Sequence, residues 1–202
     1  MEIIKKENIK IEEIVEALKA GKTIVYPTET CYGLGCDATN ESAVEKIFKI
    51  KQRQKNKPVL VVASDIGMMM KYVDCGPVIM KIAEKYWPGP LTVVAPLKPG
   101  VDMPPGVVGE DNTLAFRITN HPLASELSKE FGKPIVSTSA NIASHESPYD
   151  IKSVLDMFSN GENQPDIVID AGSLPHHSPS TIVRIKGGEV EVLRQGEVVV
   201  EL

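Results

Sequence analysis

Disulfide bridging, zinc binding and membrane insertion each lack raw material in this sequence. The 202 residues include three cysteines, Cys31, Cys36 and Cys75, an odd number that makes a poor disulfide framework. Cys31 and Cys36 have no His or further Cys at ligand spacing, and the four histidines, His121, His145, His176 and His177, form no metal pattern. Reduced cysteines serving as small apolar fillers are expected. No apolar run approaches the roughly 18–20 residues of a membrane span, and Met1–Lys6 lacks the apolar stretch of a secretory signal. Neither GxxxxGK followed by Ser or Thr nor GxGxxG occurs, so no P-loop or Rossmann fingerprint is available. These absences point to a cytosolic protein with no membrane partner and no resident metal site.

What is present is an ordinary globular composition, 42% apolar and 24% charged, read as a single domain over 1–202. Apolar spacing predicts helices over Ile11–Ala20, from an Asn40 cap to about Lys51, and over Pro77–Trp87, Pro122–Phe131 and Ile151–Phe158. Strands are predicted at Thr23–Tyr26, Val59–Ala63, Leu91–Ala95, Thr113–Ile118, Ile135–Thr138, Asp166–Asp170, Thr181–Ile185, Glu189–Leu193 and Val198–Val200. Val101–Asn112, with two Pro and two Gly, reads as a long mobile loop. Strands separated by helices, with antiparallel pairs late in the chain, predict an α/β domain around one mixed twisted sheet.

Charge is unevenly placed. The formal net charge is −5, yet Lys46, Lys49, Lys51, Arg53, Lys55 and Lys57 fall within twelve residues with no acid among them. On the helix capped by Asn40, position 51 shares a face with Val44, Ile47 and Phe48, so Lys51 extends the apolar stripe. In extended chain beyond the helix, Arg53 would point the same way as Lys51. A Lys point charge beside an Arg fork suits a polyphosphate, and a solvated surface explains the other cations equally well. Two loops follow strands, where α/β proteins place ligands: Tyr26-Pro27-Thr28-Glu29-Thr30-Cys31-Tyr32-Gly33-Leu34-Gly35 and Ser137-Thr138-Ser139-Ala140-Asn141. Their hydroxyls could meet a ligand or simply cap local turns. Arg117 and Arg194 lie in apolar strands and require an internal carboxylate or an anionic ligand.

Taken together and in this order, the segments resemble the YrdC family, the threonylcarbamoyl-adenylate synthases, from about residue 8 to 197. Lys51-Gln52-Arg53 matches the family's Lys-x-Arg, and Ser139-Ala140-Asn141 its Ser-x-Asn. Tyr-Pro-Thr-Glu-Thr, Pro-Gly-Pro-Leu-Thr, Ser180-Thr181-Ile182-Val183 and Leu193-Arg194-Gln195-Gly196 fit as well. The resemblance implies a sheet enclosing a deep, positively charged concave cavity. It also implies a reaction in which L-threonine, bicarbonate and ATP, accompanied by Mg2+, yield threonylcarbamoyl-AMP and pyrophosphate. A separate transferase system would use the product to modify tRNA.

Carried over by residue, the resemblance puts Lys51 and Arg53 on the ATP phosphates in a catalytic role, with Lys57 at their margin. Thr113, Ser139, Asn141, Ser147 and Arg194 would lie along the nucleotide, and Thr30, Arg117, Ser137 and Ser180 around the threonine. The chain departs from the pattern at Val62, where some relatives have a His, and at Ile118-Thr119, where many have a Pro two residues after the Arg. Gly172–Pro179, with His176 and His177, also lacks the usual glycines; such a loop would either close more slowly over substrate or be inert bulk. Two other readings compete: a module of this fold that binds tRNA or double-stranded RNA, and a YciO-like sibling with different chemistry. The negative net charge and the shortage of aromatics among the cations argue against the first.

Overall fold

Runs of β-branched residues alternate with short amphipathic helices, and the chain folds accordingly. The structure is a computed structural model describing residues 1–159 and 161–201. In order, its elements are β1 (Glu2–Lys5), α1 (Ile11–Lys19), β2 (Ile24–Pro27), β3 (Tyr32–Gly35), α2 (Glu41–Lys51), β4 (Val61–Ala63), α3 (Ile66–Met69) and α4 (Pro77–Tyr86). Then come β5 (Leu91–Pro96), β6 (Thr113–Ile118), α5 (Pro122–Phe131), β7 (Ile135–Val136), β8 (Thr138–Ser139), α6 (Ile151–Phe158), β9 (Ile167–Asp170), β10 (Thr181–Lys186) and β11 (Glu189–Arg194).

The strands form two mixed sheets where one was expected. The first has the order β1-β9-β2-β3-β8, the second β11-β10-β5-β6-β4-β7. The division falls inside the predicted strand Ile135–Thr138. Val136 pairs with Val61 in the second sheet, whereas Thr138 pairs with Leu34 in the first. Ser137 is the crossing residue, and its backbone N–H donates to Leu60 O at 2.9 Å.

Both faces of the central strands are buried. Val61 and Ala63 of β4 belong to the larger core, and Val62 packs in a smaller one with Ile14, Leu18, Leu123 and Leu127 of α1 and α5. This two-sided burial explains why the strands read as continuous apolar runs instead of alternating patterns.

Several further expectations are corrected. Tyr32–Gly35 is not part of a loop but the second arm of a hairpin with β2, its two glycines concealing the strand signal. Val198–Val200 forms no strand, because the Val198 backbone N–H and C=O both bond to the Thr181 hydroxyl. Val101–Asn112 is packed down: Met103 and Val107 are buried, and Val59 N–H donates to Gly106 O at 2.8 Å. β1 and α3 were not anticipated; each has four residues, too few for a periodic signal.

Gly35 lies where the two sheets approach each other. A Cβ there would overlap Val136 O and come within 2.8 Å of the Tyr26 ring. Gly35→Ala should therefore lower the unfolding free energy by about 1–3 kcal/mol, the usual cost of overpacking, as read from the urea midpoint.

Candidate active site

Helix α2 ends in a backbone cap set between two cations, Lys51 and Arg53. Gln52 adopts a left-handed conformation (φ 49°), and the N–H groups of Gln52 and Arg53 bond back to Lys49 O and Phe48 O. The chain at 51–53 is thus a helix cap and not the extended segment expected. A non-glycine residue in this region costs about 1–2 kcal/mol, so surrounding contacts must hold it.

Lys51 turns inward, as its place on the apolar stripe predicted, and is 2% exposed. Its Nζ donates to Ser139 O, Asn141 O and Asn141 Oδ1, the last two at 2.9 Å each. Asn141 Oδ1 also accepts the Ser139 hydroxyl at 2.7 Å, and Asn141 Nδ2 donates to His145 O. Ala143 N–H donates to Lys51 O at 2.8 Å, so α2 and the turn after β8 are tied twice. Burial and the nearby Arg53 guanidinium pull the Lys51 pKa down to about 7. Three acceptors oppose that shift, because a neutral amine would turn its lone pair on one of them.

In front of this knot lies a cavity of about 270 Å3. Arg53, Arg117 and Arg194 reach its wall, together with Thr30, Ser137, Ser139, Ser147 and Ser180. These come from the β2–β3 turn, the crossing after β7, the loop before α6 and the segment before β10. Each arginine has a different hold. Arg53 donates to Pro58 O at 3.1 Å. Arg194 donates twice to Ser180 O, at 2.7 and 3.1 Å, and once to Ser180 Oγ, which also meets the Thr92 hydroxyl at 3.0 Å. Arg117 Nε lies 3.1 Å from Glu29 Oε1, both side chains nearly buried. Burial lowers the pKa of Arg53 and Arg194, the cost of confining a cation without an acid partner.

Close backbone approach makes the Arg194 arrangement possible. A Cβ on Gly196 would overlap Pro179 O and Ser180 C, so the Arg-Gln-Gly order of the motif has a steric reason.

Not every expected residue reaches the wall. Lys51 and Asn141 sit behind it, and Lys57 is exposed. Thr113 shares a face of β6 with Ala115 and Arg117, but its hydroxyl donates to Asp111 Oδ1 at 2.6 Å and it lies outside the lining. The basic run does not form a stripe either. Lys46 donates to Gly21 O and Lys55 pairs with Glu45 at 2.7 Å. Val62, the departure from a family His, is buried in the smaller core and not at the wall.

Thr28, Thr92, Cys31 and Tyr149 line the cavity without having been singled out. Thr28 also serves as a local turn residue, its hydroxyl donating to Cys31 O at 2.7 Å. Tyr149 stacks on His176 at 4.0 Å and donates to His177 O, while Glu197 accepts from Ser178 N–H. The glycine-poor loop is thereby pinned beside the cavity. Pairing between Tyr149 and His176 had no local sequence signal, since 27 positions separate them.

The family model for Sua5, YciO and YrdC, described as "Telomere recombination", matches residues 16–196. A threonylcarbamoyl-AMP synthase of Pseudoalteromonas translucida (strain TAC 125) is 37% identical over 183 residues, 89% of this chain and 95% of that protein. An L-threonine complex of P. abyssi Sua5 superposes with a TM-score of 0.85 at 30% identity, covering 97% of this chain and 58% of that one. E. coli YciO superposes at 0.82 with 26% identity, covering 96% and 94%.

The buried ammonium has a measurable signature. Lys51 should titrate, by NMR of its Nζ or Cε, well below the 10.5 of a free lysine. Because its native pKa is depressed, the unfolded chain binds more protons between about pH 7 and 10.5, and stability should rise with pH there. Lys51→Met should flatten that rise in denaturant titrations; an unchanged slope would contradict the assignment.

Proposed function

The chain belongs to the Sua5/YciO/YrdC family, and on that premise we propose that it is an enzyme making threonylcarbamoyl-AMP and pyrophosphate from L-threonine, bicarbonate and ATP. The observation that carries this reading is the composition of the cavity wall: three arginines and a set of hydroxyls, with no carboxylate, histidine or lysine. Such a wall binds and orients anions. It offers no nucleophile–base pair for hydrolysis or acyl transfer.

The proposed reaction needs such a wall. Threonine and bicarbonate combine to a carbamate with loss of water. A carbamate oxygen then bonds to the α-phosphorus of ATP as the bond from that phosphorus to the pyrophosphate oxygen breaks, a nucleotidyl transfer. Two anions must be brought together against their repulsion, and charge gathers on the leaving group. Fixed cations and oriented donors lower both costs.

Arg53 and Arg194 are assigned to the phosphates. Ser139 and Ser147 are placed along the nucleotide, and Thr30, Ser137, Ser180 and Arg117 around the threonine, whose carboxylate Arg117 receives. Lys51 contributes its charge from behind and holds the Ser139–Asn141 turn in position. Lys57 and Thr113 remain at the margin, Thr113 at the far end of the face that carries Arg117.

Magnesium belongs to this scheme as part of the Mg–ATP substrate. Among the described residues no cluster of three or more His, Cys, Asp or Glu could hold a metal, and the wall has no carboxylate. Phosphate oxygens and water would therefore supply its ligands. The product is a mixed anhydride, and a separate transferase acting on tRNA is the proposed consumer.

Incubation of the protein with ATP, L-threonine and bicarbonate should release pyrophosphate and give the adenylate by mass spectrometry. Folded protein that yields neither would refute the assignment. Arg53→Ala should reduce turnover by about 100-fold or more, the scale of losing a transition-state donor. Lys55→Ala, which touches only exposed Glu45, should stay within about threefold. Equal losses would instead indicate a diffuse polyanion surface such as an RNA site requires.

A further inference from the structure

Among the described residues, Arg117 alone of the three arginines of the cavity has a carboxylate partner. Glu29 sits in the β2–β3 turn, 10% exposed, with Oε1 3.1 Å from Arg117 Nε and Oε2 accepting the Thr119 hydroxyl at 2.8 Å. It does not itself line the cavity. Glu29 Oε1 and Arg117 Nε are both enclosed and are not aligned as a hydrogen bond, so the contact is chiefly one of charge. Thr119 is fixed in turn, since its N–H donates to Ala63 O and its hydroxyl accepts from His121 N–H. The His121 ring accepts from Ala124 N–H, and burial keeps its pKa low, so it leaves the Glu29 charge unneutralised.

Elsewhere the balance is different. Arg53 and Arg194 are held by carbonyl oxygens, and Lys51 behind them by carbonyl and amide oxygens. Among the described residues none of these three has an acid within ion-pair distance. Arg194 moreover lies close enough to Arg117 for the two cations to repel.

We infer that Glu29 is a specificity-determining residue that sorts the zwitterionic amino acid from the polyphosphate by charge. Building on the substrate assignment above, Glu29 makes the Arg117 subsite nearly neutral, suited to a zwitterionic amino acid that presents one carboxylate. Arg53, Arg194 and Lys51 are left as an uncompensated positive region suited to a polyphosphate. Without Glu29 the Arg117 guanidinium would become a further free cation in the same cavity. Phosphate groups would then compete for the place that the amino acid occupies. Glu29 acts through Arg117, so it is a positioning residue and touches neither substrate.

The test is competition binding with inorganic phosphate as the probe. On the wild-type protein, phosphate should displace a non-hydrolysable ATP analogue while leaving L-threonine affinity within about twofold. On Glu29→Gln, which keeps the volume and a hydrogen-bonding partner for Thr119, phosphate should weaken apparent L-threonine affinity at least tenfold. Glu29→Asp should restore the wild-type pattern, and Thr119→Val, which retains the carboxylate, should show no phosphate competition. A merely structural role would weaken threonine binding without creating that competition. Wild-type threonine binding that yields to phosphate as readily as the nucleotide does, or a Glu29→Gln protein with no new competition, overturns the inference. The wild-type arm decides even if Glu29→Gln does not fold. Absence of any threonine binding to the wild type would instead overturn the substrate assignment, and this inference with it.

Discussion

The Lys51 ammonium is the joint on which the cavity depends. It is buried, and its three hydrogen bonds end on the Ser139–Asn141 turn, just after the chain has crossed from one sheet to the other at Ser137. Helix α2 thereby fixes the place where both sheets contribute to one wall. Among the described residues, removing the side chain would leave Asn141 O without a donor, with Ser139 O keeping only the Asn141 N–H and Asn141 Oδ1 only the Ser139 hydroxyl, and buried acceptors short of partners are costly. Ser139 keeps its orientation by the same means, since its hydroxyl shares the Asn141 oxygen that Lys51 holds. A residue expected to grip phosphate directly thus holds the Ser139–Asn141 turn behind the cavity wall.

Burying a cation in this way also shapes the electrostatics in front of it. Among the described residues Lys51, Arg53 and Arg194 lie without acid partners, a state unfavourable for buried cations and one that an arriving polyanion would relieve. In the proposed reaction, binding energy from the phosphates would then orient the reacting groups. Arg117 is the exception because Glu29 compensates it. Hydroxyls from four separate segments complete the wall, supplying donors that need no proton transfer to act. An α/β scaffold with strands buried on both faces gives these loops rigid supports.

Much of this was legible in the chain, for reasons that differ by element. Amphipathic spacing located α1, α2, α4, α5 and α6, because periodicity survives whatever they pack against. The inward position of Lys51 followed from the same spacing. The two-sheet division was hidden, since Ile135-Val136-Ser137-Thr138 looks locally like one strand and only pairing with Val61 and Leu34 separates it. Tyr32–Gly35 was hidden by its glycines, one of which is required by the close approach of Val136. At the site, short motifs marked most wall residues. Gln52 in the left-handed region replaced the extended segment expected after Lys51 with a helix cap, something spacing alone does not encode. Glu29 stood in view within Tyr-Pro-Thr-Glu-Thr, but its partner Arg117 lies 88 positions away and only the fold brings them together.

In the proposed reaction one cavity receives the polyphosphate on its uncompensated cations and the amino acid at the compensated one. A crystal structure of the protein with L-threonine and a non-hydrolysable ATP analogue tests it most directly. Phosphate oxygens are expected on Arg53, Arg194 and the Ser139 hydroxyl, with the threonine carboxylate on Arg117 and its amine directed toward the α-phosphorus. Phosphates on Arg117, threonine outside the cavity, or a nucleotide bound elsewhere would contradict it.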